Sequence, residues 1–336
     1  MSDDDRTPAG PVGRGVVASP SVHALGPVAA LGLVRTAADR GFGSLWTVTG
    51  RGTEALSFLG AAAAAVPGLA LGTGILPIPL YLPTVAAMAV ATVQALDPGR
   101  TLWLGLGVSS PVVAGQWHGA DHPARPLARV REYVEVLRRA LSGERVDAPG
   151  PTWAVRGFRL DPALVPARPP RIVLAALNPA MFDLAGEVAD GVLLNAVPAS
   201  AAARLAERAA AAGNRHVFSY VHGSVGPVGP GRRAARRAVA AEATAAGYAR
   251  LFAAAGYGPV VDEVHRRQAA GDRDGARAAV PDEMCDDLYG FGSPASVTAH
   301  LSRYEAAGIV PLLSPELVTE DPAGELAATV AAAAPT

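Results

Sequence analysis

The chain has 336 residues, 50% of them hydrophobic, and its 29 basic and 30 acidic residues give a formal net charge of −1. A chain of this length folds as one large α/β domain or two smaller ones, and its balanced charge favours neither nucleic acid nor an anionic membrane surface as a partner. All its basic residues are arginine and Cys285 is its one cysteine, which excludes a lysine Schiff base and a disulfide framework.

The amino-terminal segment and one long uncharged segment bear on location. MSDDDRTPAG is acidic and polar, unlike a signal or transit peptide, and this predicts a cytoplasmic protein. Residues 55–96 carry no charge, as a membrane span would, but they are interrupted by several prolines and glycines, among them Pro67–Gly68 and Pro83. Lipid-exposed backbone does not tolerate so many breaks, so we interpret the segment as protein core.

Apolar runs typical of strands alternate with helical runs along the chain. Strands are predicted at 14–19, 44–48, 69–76, 101–108, 171–176, 190–195, 216–222 and 309–314. Helices are predicted at 27–40, 53–66, 83–96, 126–142, 179–188, 199–212 and 294–307. Strands that alternate with helices in this way predict an α/β fold, the TIM (β/α)8 barrel.

Two segments are longer than a minimal barrel needs. Residues 143–170 are rich in Pro and Gly and are predicted to be a long loop. Residues 224–293, between strands seven and eight, are predicted to be a helical insertion, and such insertions act as lids or dimer contacts. Its helices are predicted at 232–256, 259–270 and 272–287. We therefore predict one domain over 1–336, with a core at about 14–315 and a tail, 321–336, that is frayed or helical.

The carboxyl-terminal ends of strands three and four are rich in glycine. Parallel barrels bind ligands at such strand ends, and glycine lets the backbone approach a flat ligand closely. In strand three, Thr73, Gly74 and Ile75 form either a simple packed strand end or a backbone buttress behind a flat heterocycle. The sequence GLGVSS at 105–110 lacks the third glycine and the acidic residue of a dinucleotide fingerprint, but it offers backbone N–H groups and two hydroxyls.

The segment AALNPAM at 175–181 follows the fifth strand. Asn178 is placed to cap a helix that begins at Pro179. Free N–H groups at a helix start bind phosphate, so the segment is either an ordinary capped helix or an anion site.

The aromatic and histidine candidates leave alternatives open. Trp46 and Trp103 lie on predicted strands and are either core or, for Trp46 near the end of its strand, ligand-facing. His118, in the loop after strand four, is either a general acid or a hydrogen-bonded loop residue. The other histidines lack metal-ligand spacing and no GxSxG motif is present, so neither a metal centre nor a serine hydrolase is predicted.

Taken together, these motifs resemble the luciferase-like monooxygenases, specifically their actinobacterial F420-dependent oxidoreductase branch. The resemblance spans residues 27–315. It rests on GFGSLW (41–46), LALGTGILPIPLYLPTVAAM (69–88), DPGRTLWLGLGVSSP (97–111), RPLARVREYVEVL (125–137), PRIVLAALNPAMFDLAGEVADGVLLN (170–195) and GSPASVTAHLSRYEAAGI (292–309).

The resemblance implies a barrel that binds the deazaflavin coenzyme F420. It implies a non-prolyl cis peptide at Gly74–Ile75 that braces the ring, phosphate contacts after strand five, and a further cofactor contact at the end of strand six. The expected cofactor-binding residues are therefore Thr73, Gly74, Ile75, Gly107, Val108, Ser109, Ala176, Leu177, Asn178 and Asn195.

Two positions depart from the pattern of this branch. Relatives often carry an acidic residue where this chain has Thr49, and a histidine where it has Ser110. Because hydroxyls replace both groups, the usual acid–base assignment is not carried over, and either His118 or the substrate supplies a proton, or none is needed. The expected catalytic residues are His118, Trp46, Thr49 and Ser110.

The sequence therefore predicts hydride transfer between reduced F420 and a small or medium organic substrate such as an imine, enone or carbonyl. One alternative is an FMN-dependent monooxygenase on the same barrel, and another is a non-catalytic F420-binding paralogue. A homodimer is expected from the family resemblance alone.

Overall fold

Parallel strands close into a barrel in the computed structural model, which describes residues 12–121 and 124–335. The strands are β1 Gly15–Ala18, β2 Ser44–Thr47, β3 Ala70–Pro77, β4 Leu102–Gly107, β5 Val146–Pro149, β6 Ala154–Phe158, β7 Arg171–Ala175, β8 Gly191–Leu194, β9 His216–Val225, β10 Tyr289–Gly292 and β11 Val310–Pro315. The order around the ring is β1, β2, β3, β4, β7, β8, β9 and β11, and β11 pairs with β1 to close it. The predicted TIM barrel is confirmed, and every predicted strand corresponds to a barrel strand.

Helices surround the barrel and build the insertion. They are α1 Pro20–His23, α2 Pro27–Asp39, α3 Ala55–Ala65, α4 Pro83–Ala95, α5 Pro126–Leu141, α6 Pro179–Val188, α7 Ala202–Ala211, α8 Val228–Glu242, α9 Ala246–Phe252, α10 Gly258–Ala269, α11 Arg273–Ala278, α12 Asp282–Leu288, α13 Pro294–Ala306 and α14 Pro322–Ala333. Many of the barrel helices begin at a proline, because its fixed φ and missing N–H suit the first helical position.

The uncharged segment 55–96 folds into α3, β3 and α4. Leu71 and Leu76 of β3 are completely buried, as expected for a strand covered by helices. The interpretation as core is confirmed for β3, whereas Leu82 just before α4 and Val85 and Met88 on α4 are exposed. Among the described helices, none combines the length and apolarity needed to cross a bilayer.

The two long segments differ from their predictions. The stretch 143–170 is not only loop, because β5 and β6 pair within it as an antiparallel hairpin. In the insertion, the predicted helix 232–256 is divided into α8 and α9, and 272–287 is divided into α11 and α12. Pro281 precedes α12 and cannot continue a helix from α11, because it has no N–H to donate. The tail, predicted to be frayed or helical, forms α14.

Aromatic side chains fill the barrel interior. On β9, His216, Phe218, Tyr220 and His222 follow one another at alternate positions, which places their side chains on the same inward face. The ring of Phe218 lies 5.1 Å from that of Trp46. This column runs from His216 at the lower end of the barrel to His222 at the mouth, where the strands end.

Candidate active site

The first feature of the mouth is a break in the ladder between β3 and β4. The two strands pair regularly as far as Thr73, and the register shifts before pairing resumes at Leu76. The Gly74–Ile75 peptide bond is cis, as the resemblance implied. Ile75 is half-buried against the aromatic cluster inside the barrel. Residues 74 and 75 therefore leave the ladder and turn toward the barrel axis, as a bulge does.

Tyr220 holds this bulge from the opposite wall of the barrel. Its hydroxyl donates to the carbonyl oxygen of Gly74 at 2.7 Å. A Cβ atom on Gly74 would lie 1.9 Å from that hydroxyl, so only glycine fits here. The glycine is therefore required for the close approach of β3 to β9, a contact that sequence reasoning missed.

The end of β4 packs against the bulge. A Cβ atom on Gly107 would lie 2.8 Å from Cδ1 of Ile75, which explains the small residue. Val108 and Ser109 are half-buried, and Ser109 has a φ of 61°, a left-handed conformation that is uncommon for residues other than glycine. Such conformations cluster at functional sites.

Thr73 was expected to bind the cofactor, but it has a structural role. Its side chain is completely buried, and its hydroxyl donates to the carbonyl oxygen of Gly105 at 2.9 Å. This bond ties β3 to β4 just below the bulge. The side chain of Thr73 is therefore enclosed by the protein, and its contact with the cofactor stays a prediction.

The residues after β7 form the predicted helix start. Ala176 is buried and Leu177 is half-buried, while Oδ1 of Asn178 accepts a hydrogen bond from the N–H of Met181 at 3.0 Å. The first turn of α6 has no acidic residue, so the positive end of the helix is not neutralised there. This geometry suits either an ordinary cap or an anion site.

Trp46 is placed differently from its expected catalytic role. It is completely buried, and its ring stacks on that of Trp103 at 6.5 Å with an interplanar angle of 22°. Its Nε1–H donates to the hydroxyl of Ser44 at 2.9 Å. Since other side chains cover the indole fully, we correct the expectation: Trp46 forms the floor below the mouth and does not line its surface.

The other three expected catalytic residues lie on the rim of the mouth. Thr49 contacts the hydroxyl of Tyr81 at 3.3 Å, and that hydroxyl donates to Oε1 of Glu54 at 2.5 Å. Burial and the bond to Glu54 raise the pKa of Tyr81 above its ordinary value, so the hydroxyl stays protonated. The hydroxyl of Ser110 caps a helical turn, accepting from the N–H of Val113 at 3.1 Å.

His118 is exposed, and its Nε2 pairs with the carbonyl oxygen of Gly50 at 3.0 Å. This bond joins the loop after β2 to the loop after β4. In the same loops, the guanidinium of Arg51 lies 5.1 Å from the ring of Trp117. The rim on this side is therefore a clasp between two loops, and no described carboxylate contacts the imidazole of His118.

The opposite side of the mouth holds a cluster of titratable groups, which we call the His222 cluster. It consists of His222, Glu316, Asn195, Glu242 and Tyr248. Nδ1 of His222 pairs with Oε1 of Glu316 at 2.9 Å, and its Nε2 pairs with Oδ1 of Asn195 at 2.8 Å. The amide nitrogen of Asn195 donates to the hydroxyl of Tyr248 at 2.8 Å. Asn195, expected as a cofactor contact, is therefore also part of a polar network.

Sequence reasoning missed most of the His222 cluster. His222 ends the predicted strand 216–222, and the alternation from Phe218 onward would have placed its side chain inside the barrel. Glu316 directly follows the last strand, where barrel enzymes carry functional residues. Glu242 and Tyr248 had no such signal, because they come from the insertion.

Comparisons with known proteins agree with this geometry. Residues 15–310 match the luciferase-like monooxygenase family. A protein of Mycobacterium tuberculosis whose name describes a coenzyme F420-dependent oxidoreductase is 31% identical over 310 residues, 82% of this chain and 87% of the relative.

Two solved structures share the fold. The coenzyme F420 dependent tetrahydromethanopterin reductase of Methanopyrus kandleri superposes with a TM-score of 0.75 at 19% identity, over 96% of this chain and 98% of that chain. An F420-dependent secondary alcohol dehydrogenase, in complex with an F420–acetone adduct, superposes with a TM-score of 0.70 at 18% identity, over 96% of this chain and 99% of that chain.

Proposed function

The chain belongs to the luciferase-like monooxygenase family, and from this premise we propose that it is an F420-dependent oxidoreductase. It transfers a hydride between the deazaflavin and a small or medium organic substrate with a carbonyl, imine or enone group. The 31% identical relative named for F420 dependence supports the choice of coenzyme. The solved complex of a relative with an F420–acetone adduct supports a carbonyl-type substrate.

The observation that carries the proposal is the bulge at Gly74–Ile75. A flat tricyclic ring can lie against backbone that turns out of its strand, and residues 74 and 75 leave the ladder at the mouth, where both are only half-buried. Tyr220 fixes the height of this backbone through its bond to the Gly74 carbonyl. The residues present therefore fit a deazaflavin ring.

The chain's own residues divide the remaining work. Bound F420 supplies the hydride chemistry. Trp46 and Phe218 close the barrel below the ring and keep water from entering from beneath. The first turn of α6 and the backbone of Leu177 and Asn178 are placed to hold the phosphate.

A basic cleft at the rim favours F420 over FMN, since F420 carries an anionic lactyl-glutamate tail. The cleft has a volume of about 410 Å³ and is formed by α8 and by the residues that follow β11. Arg233 and Arg237 line it one helical turn apart, and both are exposed. Their guanidinium groups are available for carboxylates of such a tail.

Titration of the purified protein with F420 and with FMN tests the proposal. We expect F420 to bind at micromolar concentrations or tighter, and reduced F420 to be consumed when a carbonyl, imine or enone is added. Tight FMN binding with oxygen uptake would instead establish the monooxygenase alternative. F420 binding without turnover of any acceptor would favour a non-catalytic paralogue. The cytoplasmic location, the actinobacterial origin and the homodimer stay predictions.

A further inference from the structure

We propose that His222 is the acid–base residue of the barrel mouth, that Glu316 holds its Nδ1 proton and stabilises the imidazolium form, and that Glu242 is a second carboxyl group, with a buried oxygen, behind it. The proposal rests on the proposed hydride-transfer function. It assigns the proton handling to a residue other than Thr49 and Ser110. Both of those hydroxyls have structural partners in the rim, as described above.

The position of His222 is the first argument. It is the last member of the inward-facing column on β9, one step above Tyr220, with the two ring centroids 6.3 Å apart. Tyr220 in turn contacts the bulge against which the ring of the cofactor is proposed to lie. The imidazole of His222 therefore stands at the level where a substrate above that ring would be held.

The hydrogen bonds of the imidazole are the second argument. Both ring nitrogens face oxygen atoms, Oε1 of Glu316 and Oδ1 of Asn195. A carboxylate and an amide oxygen only accept hydrogen bonds, so both contacts are satisfied when the ring carries two protons. With the Asn195 amide in this orientation, the geometry accommodates the imidazolium form.

The surroundings of His222 agree with this protonation state. Burial alone would lower its pKa, but the bond to Glu316 and the charges of Glu316 and Glu242 raise it above the ordinary value. Burial raises the pKa of Glu242 to about 7, against the opposing effect of His222. The titratable and polar groups that face His222 are Glu316 after β11, Asn195 after β8, Tyr220 on β9, Tyr289 on β10, Glu242 on α8, Tyr248 on α9 and His300 on α13.

One side of the cluster reaches solvent, and on its inner side one buried oxygen atom lacks a hydrogen-bond partner within the described part of the molecule. The Glu316 side chain is 32% exposed, against 12% for His222, and it lines the basic cleft at the rim. On the inner side, Oε2 of Glu242 is buried and has no hydrogen-bond partner among the described residues. In the described chain, no three His, Cys, Asp or Glu side chains are arranged to bind a metal ion, so this cluster is read as a proton site.

The proton step balances in both directions. In reduction, the hydride adds to the carbonyl or imine carbon, the double bond's electron pair moves to oxygen or nitrogen, and that atom takes the Nε2 proton of His222 in place of Asn195. The neutral imidazole keeps its Nδ1 proton, which is hydrogen-bonded to Glu316, and regains its Nε2 proton from solvent once the product has left the mouth. In oxidation, neutral His222 accepts the proton of the hydroxyl or amine as the hydride leaves.

The test has one arm that needs no cofactor. Histidine side-chain NMR of the cofactor-free protein, with His222 assigned from the His222→Asn spectrum, should show a pKa above 6.5 that falls in Glu316→Gln. Glu320→Gln, an exposed carboxylate nearby on the rim, is the matched control and should leave it unchanged. A His222 that titrates at or below 6.5, or does not respond to Glu316→Gln, overturns the proposal.

The second arm measures turnover with reduced F420. His222→Asn and His222→Gln should lower kcat about 100-fold or more, the usual contribution of a general acid, while the Kd for F420 changes less than about 3-fold. In the reduction direction, wild-type kcat should fall as pH rises through the pKa of His222, and both variants should lose this limb. The control is His216→Asn, at the other end of the same column, which should keep the pH profile. A retained limb in the His222 variants overturns the proposal.

The two proposals fail separately. A wild-type chain that does not bind F420 overturns the proposed function. The NMR titration still decides whether His222 holds the proton in that case.

Discussion

Each of two sides of the barrel mouth carries a histidine, and the pKa values of the two histidines are shifted in opposite directions. On the β1–β2 side, Nε2 of His23 pairs with the hydroxyl of Thr47 at 2.9 Å and its ring packs edge-on against Phe58. Burial lowers the pKa of His23, so it is neutral near pH 7. On the β8–β11 side, His222 faces Glu316 and Glu242, and its pKa is raised although burial opposes the shift. The same side chain thus has opposite character according to its partners. We propose that one side of the mouth positions the flat ring of the cofactor and that the other side supplies a proton.

The largest expected effect tests whether Trp46 stabilises the barrel below the mouth or acts in turnover at its surface. Trp46→Ala should lower the free energy of unfolding by about 3–5 kcal/mol, because it removes a completely buried indole from a packed aromatic cluster. Chemical denaturation monitored by circular dichroism measures this. Trp117→Ala is the control, since Trp117 is 46% exposed, and should change stability by less than about 0.5 kcal/mol. A Trp46→Ala protein of normal stability that has lost turnover would restore Trp46 as a catalytic residue.

The next effect tests whether the bulge requires glycine, which has no side chain, at position 74. Gly74→Ala brings a Cβ into the hydroxyl of Tyr220, and we expect a loss of about 1–3 kcal/mol in stability together with weaker F420 binding. Adding Tyr220→Phe removes the hydroxyl and should recover part of both losses. Gly60→Ala, on α3 with no atom within 4 Å of the added Cβ, should be neutral or slightly stabilising. If Gly74→Ala binds F420 as wild type does, the bulge is not the ring's support.

The smallest effect asks whether a rim hydroxyl does chemistry. Ser110→Ala removes a helix cap and should cost about 1 kcal/mol in stability, while the pH profile of kcat stays the same. Ser110→Asn keeps a capping side chain and should retain stability. Thermal or chemical denaturation and a pH series on the same preparations measure both. A changed pH profile in Ser110→Ala would instead assign proton handling to Ser110.

The fold could be predicted because its signals are local. Each barrel strand is a short apolar run between breakers, and the helices between them begin at prolines that the sequence displays. The hairpin of β5 and β6 was missed because its prolines and glycines indicate a loop, although the two strands are held by their pairing. β10 is four residues long and is a strand only because β9 extends beyond the barrel to meet it.

The site could be predicted only in part. The bulge and the helix start contain glycine, asparagine and proline, and the backbone preferences of these residues can be recognised from the sequence alone. Backbone preferences do not reveal how deep a side chain lies inside a barrel. For this reason Trp46 was predicted as a catalytic residue at the mouth and Thr73 as a cofactor contact. The His222 cluster combines three barrel strands with two helices of the insertion, and no single segment of sequence contains its geometry.

The extension of β9 beyond the barrel affects which parts of this protein can vary in sequence. Tyr289–Gly292 pairs with residues 222–225 of β9, so both ends of the insertion are anchored to the barrel wall, while the exposed residues of α10 and α11 between them can vary. Substitutions there would alter the outer surface of the insertion and leave the strands of the barrel in place.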